Sequence, residues 1–240
     1  MKRMPEAPDT AILCGGQGTR LRGTIGALPK PMVELGGRPL LDHLVRWALG
    51  AGSERVILCV GHGGGAIRGH FSTPDWQGNV LLSEEATPLG TGGALRLALP
   101  LVRTPALAVL NGDSFLLGLD LPALVAFHRQ HGGQGAVALV TPDERNDAGS
   151  VVLDDTGRVQ AFAEKRAVGG RHYINAGVYV FEVGLIAAVP LGRAVSLERD
   201  LLPAWVERGL YGSVQPGELV DIGTPERLRA AQARFADEFL

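Results

Sequence analysis

One stretch constrains this chain more than any other. Thr10-Ala-Ile-Leu-Cys14 runs directly into Gly15-Gly16-Gln17-Gly18-Thr19-Arg20-Leu21, and Leu28-Pro29-Lys30-Pro31-Met32 follows shortly after. An apolar, strand-like run therefore ends in a glycine loop that carries an arginine, and a lysine is held nearby between two prolines. Small residues let backbone N–H groups come close to an anion, and the two cations neutralise it. Gly15, Gly16, Gly18, Thr19, Arg20 and Lys30 thus form a candidate clamp for a polyphosphate.

The common phosphate loops do not fit. A Walker loop ends in Gly-Lys-Ser/Thr, and none follows here. A dinucleotide fingerprint needs Gly-x-Gly-x-x-Gly, but Gly16-Gln17-Gly18-Thr19-Arg20-Leu21 places leucine last and adds an arginine. A glycine loop alone could simply turn a corner; Arg20 and the Pro-Lys-Pro argue against that.

Apolar, β-rich runs alternate with amphipathic stretches over the first 140 residues. Candidate strands are 10–13, 55–60, 79–82, 106–110 and 134–140; candidate helices are 40–50, 64–71, 92–99 and 121–131. That alternation predicts an α/β fold with a mainly parallel sheet and right-handed crossovers. The rhythm then changes. Residues 150–153 and 159–163 flank Asp155-Thr-Gly157 as a hairpin, a strand is expected over 173–181, and helices near 185–188 and 198–208. A short edge strand over 210–215 and a closing helix over 225–235, capped by Thr224 with Pro225 at its first position, complete the reading. No polar linker separates the halves. One domain is expected, with a nucleotide-binding half over about 10–140 and a substrate half over about 141–235.

A chain of 240 residues with 45% hydrophobic and 20% charged residues can bury its own core. Its net charge of −2 excludes a broad basic surface for nucleic acid, so an anionic ligand must be met by a few local cations and a metal ion. Cys14 and Cys59 sit at or near the ends of apolar runs and read as buried free thiols. The N-terminus has no apolar signal region and no apolar run approaches membrane length, so a cytoplasmic protein without a membrane partner is expected. Of 23 basic residues only Lys2, Lys30 and Lys165 are lysine. A chain so biased toward arginine keeps lysine where a compact, mobile ammonium suits the chemistry.

With Gly-Gly-x-Gly-Thr-Arg-Leu followed by Pro-Lys-Pro, the sequence resembles the sugar-1-phosphate nucleotidyltransferases, over roughly residues 10–235. Within that family it is most similar to guanylyltransferases acting on heptose or mannose 1-phosphate. The resemblance implies the Rossmann-like nucleotide-diphospho-sugar transferase fold, a mixed, mainly parallel sheet flanked by helices. The β-helix extension of larger members is not expected, as no hexapeptide repeat is present before Leu240. It implies a transferase for nucleotide-sugar synthesis. A sugar-phosphate oxygen attacks the α-phosphorus of a nucleoside triphosphate, with Mg²⁺ as cofactor and the two ligands as partners. Homo-oligomerisation is common in the family and is not legible in this sequence.

Residue roles follow motif by motif. The resemblance implies that Arg20 stabilises the leaving pyrophosphate and that Lys30 reaches the phosphates near the reacting centre. Asp113, in Leu110-Asn111-Gly112-Asp113-Ser114 after an apolar strand, is the first Mg²⁺ ligand, and Asp221, in Leu219-Val-Asp221-Ile-Gly-Thr-Pro-Glu226, the second. Ser83-Glu84-Glu85 with Gly90-Thr91-Gly92-Gly93 is expected to meet base and ribose. Uridylyl and thymidylyl relatives carry a glutamine at the offset of Glu85. A carboxylate only accepts, which suits guanine's N1–H and N2–H₂, so GTP is favoured. Glu164 and Lys165 match Glu-Lys-Pro, with Arg166 in place of the proline, and imply grip on sugar hydroxyls and sugar phosphate. Asn175 in Asn-Ala-Gly and Gly149 imply sugar contacts. Ser196-Leu-Glu198-Arg199-Asp200 matches the family as well but reads mainly as a helix start.

Other readings remain open at this point. A pyrimidine nucleotidyltransferase acting on a hexose 1-phosphate differs at the base pocket. A non-catalytic, nucleotide-sugar-sensing paralogue is expected to lose charged reaction-centre residues, and Arg20, Lys30, Asp113, Lys165 and Asp221 are all present. Gly61-His62-Gly63-Gly64-Gly65 lacks the Gly-x-Ser-x-Gly partner of a hydrolase, and His128 and His131 read as helix-end residues rather than metal ligands.

Overall fold

A computed structural model describes residues 7–16, 21–61, 63–142, 149–163 and 171–238. β1 (Asp9–Leu13) is buried along its whole length and sits inside a nine-stranded sheet. α1 (Arg22–Ile25) and the single 3₁₀ turn Lys30–Met32 lead to a small ribbon, β2 (Glu34–Leu35) with β3 (Arg38–Pro39). The crossovers then follow: α2 (Leu40–Gly50), β4 (Val56–Val60), α3 (Gly64–Phe71), β5 (Val80–Glu84), α4 (Gly90–Ala98) and β6 (Ala106–Asn111). β4 and β6 flank β1 in parallel, and β5 extends the sheet beyond β4. The chain moves outward through β4 and β5 and then returns to the other side of β1. The strand order therefore reverses beside β1, and a crevice opens there at the strands' C-terminal ends.

The second half is mainly antiparallel, as expected. β7 (Ser114–Leu117), α5 (Leu121–His131), β8 (Gly135–Val140), β9 (Ser150–Leu153) and β10 (Val159–Ala163) precede the long β11 (Arg171–Glu182). β11 pairs with β9 over residues 171–174, with β6 over 178–182 and with β8 over 174–175 and 179–181. Its register with β8 shifts between Asn175 and Tyr179, around Gly177 at φ 71°. α6 (Val183–Ala187) and α7 (Leu202–Trp205) cover one face; β12 (Leu210–Val214) pairs in parallel with β8, β13 (Glu218–Asp221) with β7, and α8 (Pro225–Glu238) closes the fold. Thr224 caps α8, its hydroxyl accepting from Arg227 N–H.

Alternation along β1 divides the core. Ile12 and Cys14 point into the layer built with α2, α5 and α8; Ala11 and Leu13 point into the layer built with α4, α6 and α7. Burial of a side chain the size of Ile12 or Leu13 contributes about 1.5–3 kcal/mol. Cys14 and Cys59 are free, buried and on opposite layers. Burial pushes the Cys59 thiol up to about 12 and Cys14 well above its usual range.

One buried carboxylate locks the outer helices. Asp42 on α2 accepts from Arg46 Nε at 2.5 Å and pairs with His70 Nε2 at 2.9 Å, while the Arg46 guanidinium lies 4.6 Å over the Trp76 ring. Burial raises the Asp42 pKa, but the hydrogen bonds from His70 and Arg46 outweigh it and leave the pKa below its ordinary value of 3.8. A depressed native pKa adds stability that is present above the unfolded value and disappears as pH falls through the native one. Acid unfolding of Asp42→Asn is therefore expected to lose steepness below about pH 4 relative to the parent. Identical acid limbs of the two titrations would show that the carboxylate is not so coupled.

Candidate active site

The crevice beside β1 is a cavity of about 270 Å³ lined by residues from the ends of β1, β4 and β6 and from the loops after β1 and β5. Gly15 and Gly16 form its floor, reached because Cys14 N–H donates to Cys59 O at 2.9 Å and continues the ladder past β1. Gly112 N–H donates to Leu13 O at 3.0 Å, which turns the chain after β6 and presents Asp113. Lys30 arrives from the Pro-Lys-Pro turn, and its Nζ lies 2.6 Å from Asp113 Oδ2. The lysine side chain is 15% exposed against 47% for the aspartate, so the pair stands at the wall with its cation sheltered and its carboxylate open. Two residues 83 positions apart, singled out separately in the sequence, thus meet in one cavity.

Glu85, Gly90 and Thr91 line the same cavity. Glu85 Oε2 accepts from Leu89 N–H at 2.9 Å, and Oε1 lies against the backbone of Gly15 and Gly61. A Cβ on Gly61 would come 2.5 Å from that oxygen, so only glycine leaves room for the carboxylate. Gly90, at φ 67°, opens α4. The Thr91 hydroxyl is turned toward Leu197 and Glu198 within the protein.

A second cavity, of about 550 Å³, adjoins the first. Gly149 and Asn175 line it, and Asn175 N–H donates to Gly149 O at 3.1 Å. The Asn175 amide donates to Tyr179 Oη at 2.9 Å and accepts from Gly177 N–H at 3.0 Å, which fixes its orientation. Burial raises the Tyr179 pKa far out of its ordinary range, helped by the negative charges of Glu198 and Asp113 and opposed by the Asn175 hydrogen bond. Asn111 and Glu198 line both cavities. Neither was singled out from the sequence as a site residue. Asn111 had a readable signal, a polar side chain ending a buried strand. Glu198 was hidden because Ser196 does cap the turn that follows, accepting from Arg199 N–H.

Asp221 stands apart from the lining of either cavity, although its segment is tied to the site. It pairs across the ribbon with Ser114, and Ile222 N–H donates to Asp113 O at 3.1 Å. Asp221 Oδ1 accepts from Gly223 N–H at 2.9 Å and meets Arg227 Nη1 at 3.3 Å. Among the described residues no group of three His, Cys, Asp or Glu side chains is placed to hold a metal ion. The half-exposed Asp113 carboxylate has the chemistry of a ligand for a hard cation that takes its remaining ligands from phosphate and water, and the Asp221 segment is joined to it through the Ile222–Asp113 backbone hydrogen bond. Gly18, Thr19, Arg20, Glu164 and Lys165 lie outside the described residues. His128, expected as a helix-end residue, is buried, with Nε2 2.8 Å from Glu182 Oε1.

Known proteins share this fold. Residues 10–238 match the family model described as nucleotidyl transferase. A mannose-1-phosphate guanylyltransferase from Mycobacterium tuberculosis is 38% identical over 222 residues, which is 91% of this chain and 62% of that protein. The mannose-1-phosphate guanylyltransferase catalytic subunit beta of Danio rerio is 35% identical over 90% of this chain and 61% of its own length. The chain thus spans about three fifths of the curated relatives it matches. HddC from Yersinia pseudotuberculosis superposes with a TM-score of 0.83 at 30% identity, covering 95% of this chain and 99% of that one, and has also been solved with GMP-PN. Among the described residues no helix is long and apolar enough to cross a membrane.

Proposed function

The chain belongs to the nucleotidyl transferase family, and on that premise we propose that it transfers a nucleotidyl group from a nucleoside triphosphate to a sugar 1-phosphate. GTP is the favoured donor, and mannose or D-glycero-D-manno-heptose 1-phosphate the favoured acceptor. One observation carries the reading: the sheltered Lys30 ammonium, paired to Asp113, faces a cavity that shares the wall of Asn111 and Glu198 with a second compartment. Two neighbouring compartments with a cation at one of them suit two ligands that must react with each other.

An oxygen of the sugar phosphate attacks the α-phosphorus, a new P–O bond forms, and the bond to the bridging oxygen breaks to release pyrophosphate. The sugar phosphate is a nucleophile at neutral pH, so no covalent intermediate or general base is needed. Two anions must be brought together, and the barrier is largely positional and electrostatic. Lys30 supplies a fixed charge at the triphosphate, and the glycine backbone at 15–16 lets the nucleotide lie close to β1. Asp113 and Asp221 would hold a magnesium-type cation, which supplies further neutralisation of phosphate charge when bound. Arg20 and Lys165 are assigned the pyrophosphate and the sugar phosphate by motif alone.

The guanine preference is supported by Glu85, whose carboxylate can only accept, and by the guanylyltransferase names and the GMP-PN complex of the relatives. Pyrophosphate release is to be measured for GTP, UTP, dTTP, CTP and ATP against mannose, heptose, glucose and N-acetylhexosamine 1-phosphates. GTP with a manno-configured sugar is expected to lead. Glu85→Gln is expected to erode the GTP preference about tenfold, since an amide donor then faces guanine's donors. A UTP or dTTP preference in the parent ends the base assignment. No turnover across the matrix leaves a non-catalytic sensor.

A further inference from the structure

The segment from Arg193 to Leu201 lies across the first turn of α4 and joins the two cavities. Gly92 and Gly93 N–H both donate to Val195 O, at 2.9 and 3.3 Å, and Val195 N–H donates to Leu89 O at 2.8 Å. Thr91 stands at the centre of this strap. Its hydroxyl accepts from Leu197 N–H at 2.7 Å and donates to Glu198 Oε2 at 2.9 Å. Ser196 Oγ lies 3.2 Å from the same oxygen. One oxygen of Glu198 is therefore pinned by two hydroxyls, while no described residue bonds the other, Oε1. The backbone is fixed too. Leu201 N–H reaches back five residues to Ser196 O at 3.1 Å, making a π turn, a distortion often found at functional sites.

A carboxylate at the partition repels both phosphate-bearing ligands. What it can accept is an uncharged donor, and the sugar offers ring hydroxyls. We propose that Glu198 Oε1 accepts a ring hydroxyl of the sugar 1-phosphate, and that Thr91, from the loop assigned to the nucleotide, is the positioning residue that holds it. The inference rests on reading the second cavity as the sugar-phosphate compartment. It makes the Glu85–Gly93 loop and the sugar's acceptor one mechanical unit, so that disturbing Thr91 is felt by the sugar.

The test compares Thr91→Val, Thr91→Ser, Glu198→Gln and Thr91→Val/Glu198→Gln with the parent. KM for each substrate is measured for the best pair in the matrix, and mannose 1-phosphate and glucose 1-phosphate binding by calorimetry. Thr91→Val is expected to raise the sugar-phosphate KM about tenfold while the triphosphate KM stays within about twofold. Thr91→Ser should restore parental values, because it keeps the hydroxyl. The double variant should be no worse than Glu198→Gln alone, since both changes remove one interaction. Equal shifts in both KM values, or none in the sugar's, overturn the proposal. So does recovery of Glu198→Gln by added magnesium, which would make Glu198 a metal ligand. If the parent turns over no pair, the transferase reading falls separately. Calorimetry then decides this one: weakened sugar-phosphate binding in Thr91→Val but not Thr91→Ser supports it, and unchanged binding in all variants overturns it.

Discussion

Replacing Lys30 by alanine is expected to lower the rate of pyrophosphate release at saturating substrates by about 100- to 1,000-fold, the usual cost of deleting one preorganised charge at a transition state. The size follows from the lysine's setting. Its side chain is 15% exposed, its approach is set by Pro29 and Pro31, and its ammonium is held 2.6 Å from Asp113. Such a charge needs little reorganisation when negative charge moves onto the leaving phosphate. A water molecule entering the vacated space could not replace it. Asp113→Asn is expected to abolish turnover to a similar degree while far-UV circular dichroism and melting stay close to the parent, because its carboxylate is 47% exposed and buries little on folding. Rates within threefold of the parent in either variant would remove the pair from the reaction centre.

The second large effect is on stability. Gly93→Ala is expected to destabilise the protein by about 1–3 kcal/mol, the usual range for overpacking. At about 2–4 °C per kcal/mol for a chain of this size, that lowers Tm by about 2–12 °C. A Cβ at Gly93 would lie 2.6 Å from Arg193 O and 2.9 Å from Leu89 Cβ. That carbonyl is backbone, in a segment that Val195 ties to the start of α4, and it cannot yield as a flexible side chain can. Gly65→Ala is the control. Gly65 lies in α3, where an added methyl meets nothing within 4 Å, so the change should be neutral or slightly stabilising. Equal melting of Gly93→Ala and the parent would show that the strap is loose.

The glycines of the loop around Thr91 illustrate how far sequence reasoning reached. Gly90-Thr91-Gly92-Gly93 was expected to serve base and ribose, and Gly90 and Thr91 do line the first cavity. Gly93, however, is required by close packing of the Arg193–Leu201 strap, a partner about 100 residues away. The helix expected over 198–208 is divided into a π turn over Leu197–Leu201, α7 over Leu202–Trp205 and a 3₁₀ turn over Val206–Arg208. Pro203, which lacks an N–H and crowds the preceding turn, accounts for the change of register. β7 and β13 were missed as strands because each is four residues long and takes its pairing only from the other, roughly a hundred residues apart.

Local chemistry alone determined the alternating elements, the glycine loop after β1, the Pro-Lys-Pro turn and the identity of Lys30 and Asp113 as candidates. Each of these rests on short-range periodicity or on the shape and charge of neighbouring residues, which a one-dimensional pattern carries. Only the tertiary structure decided that Lys30 touches Asp113, that Glu198 stands between two cavities, and that Asp221 is joined to the site through backbone while its side chain meets Gly223 and Arg227. Those facts depend on which distant segments pack together, and packing is settled by the whole set of buried surfaces at once.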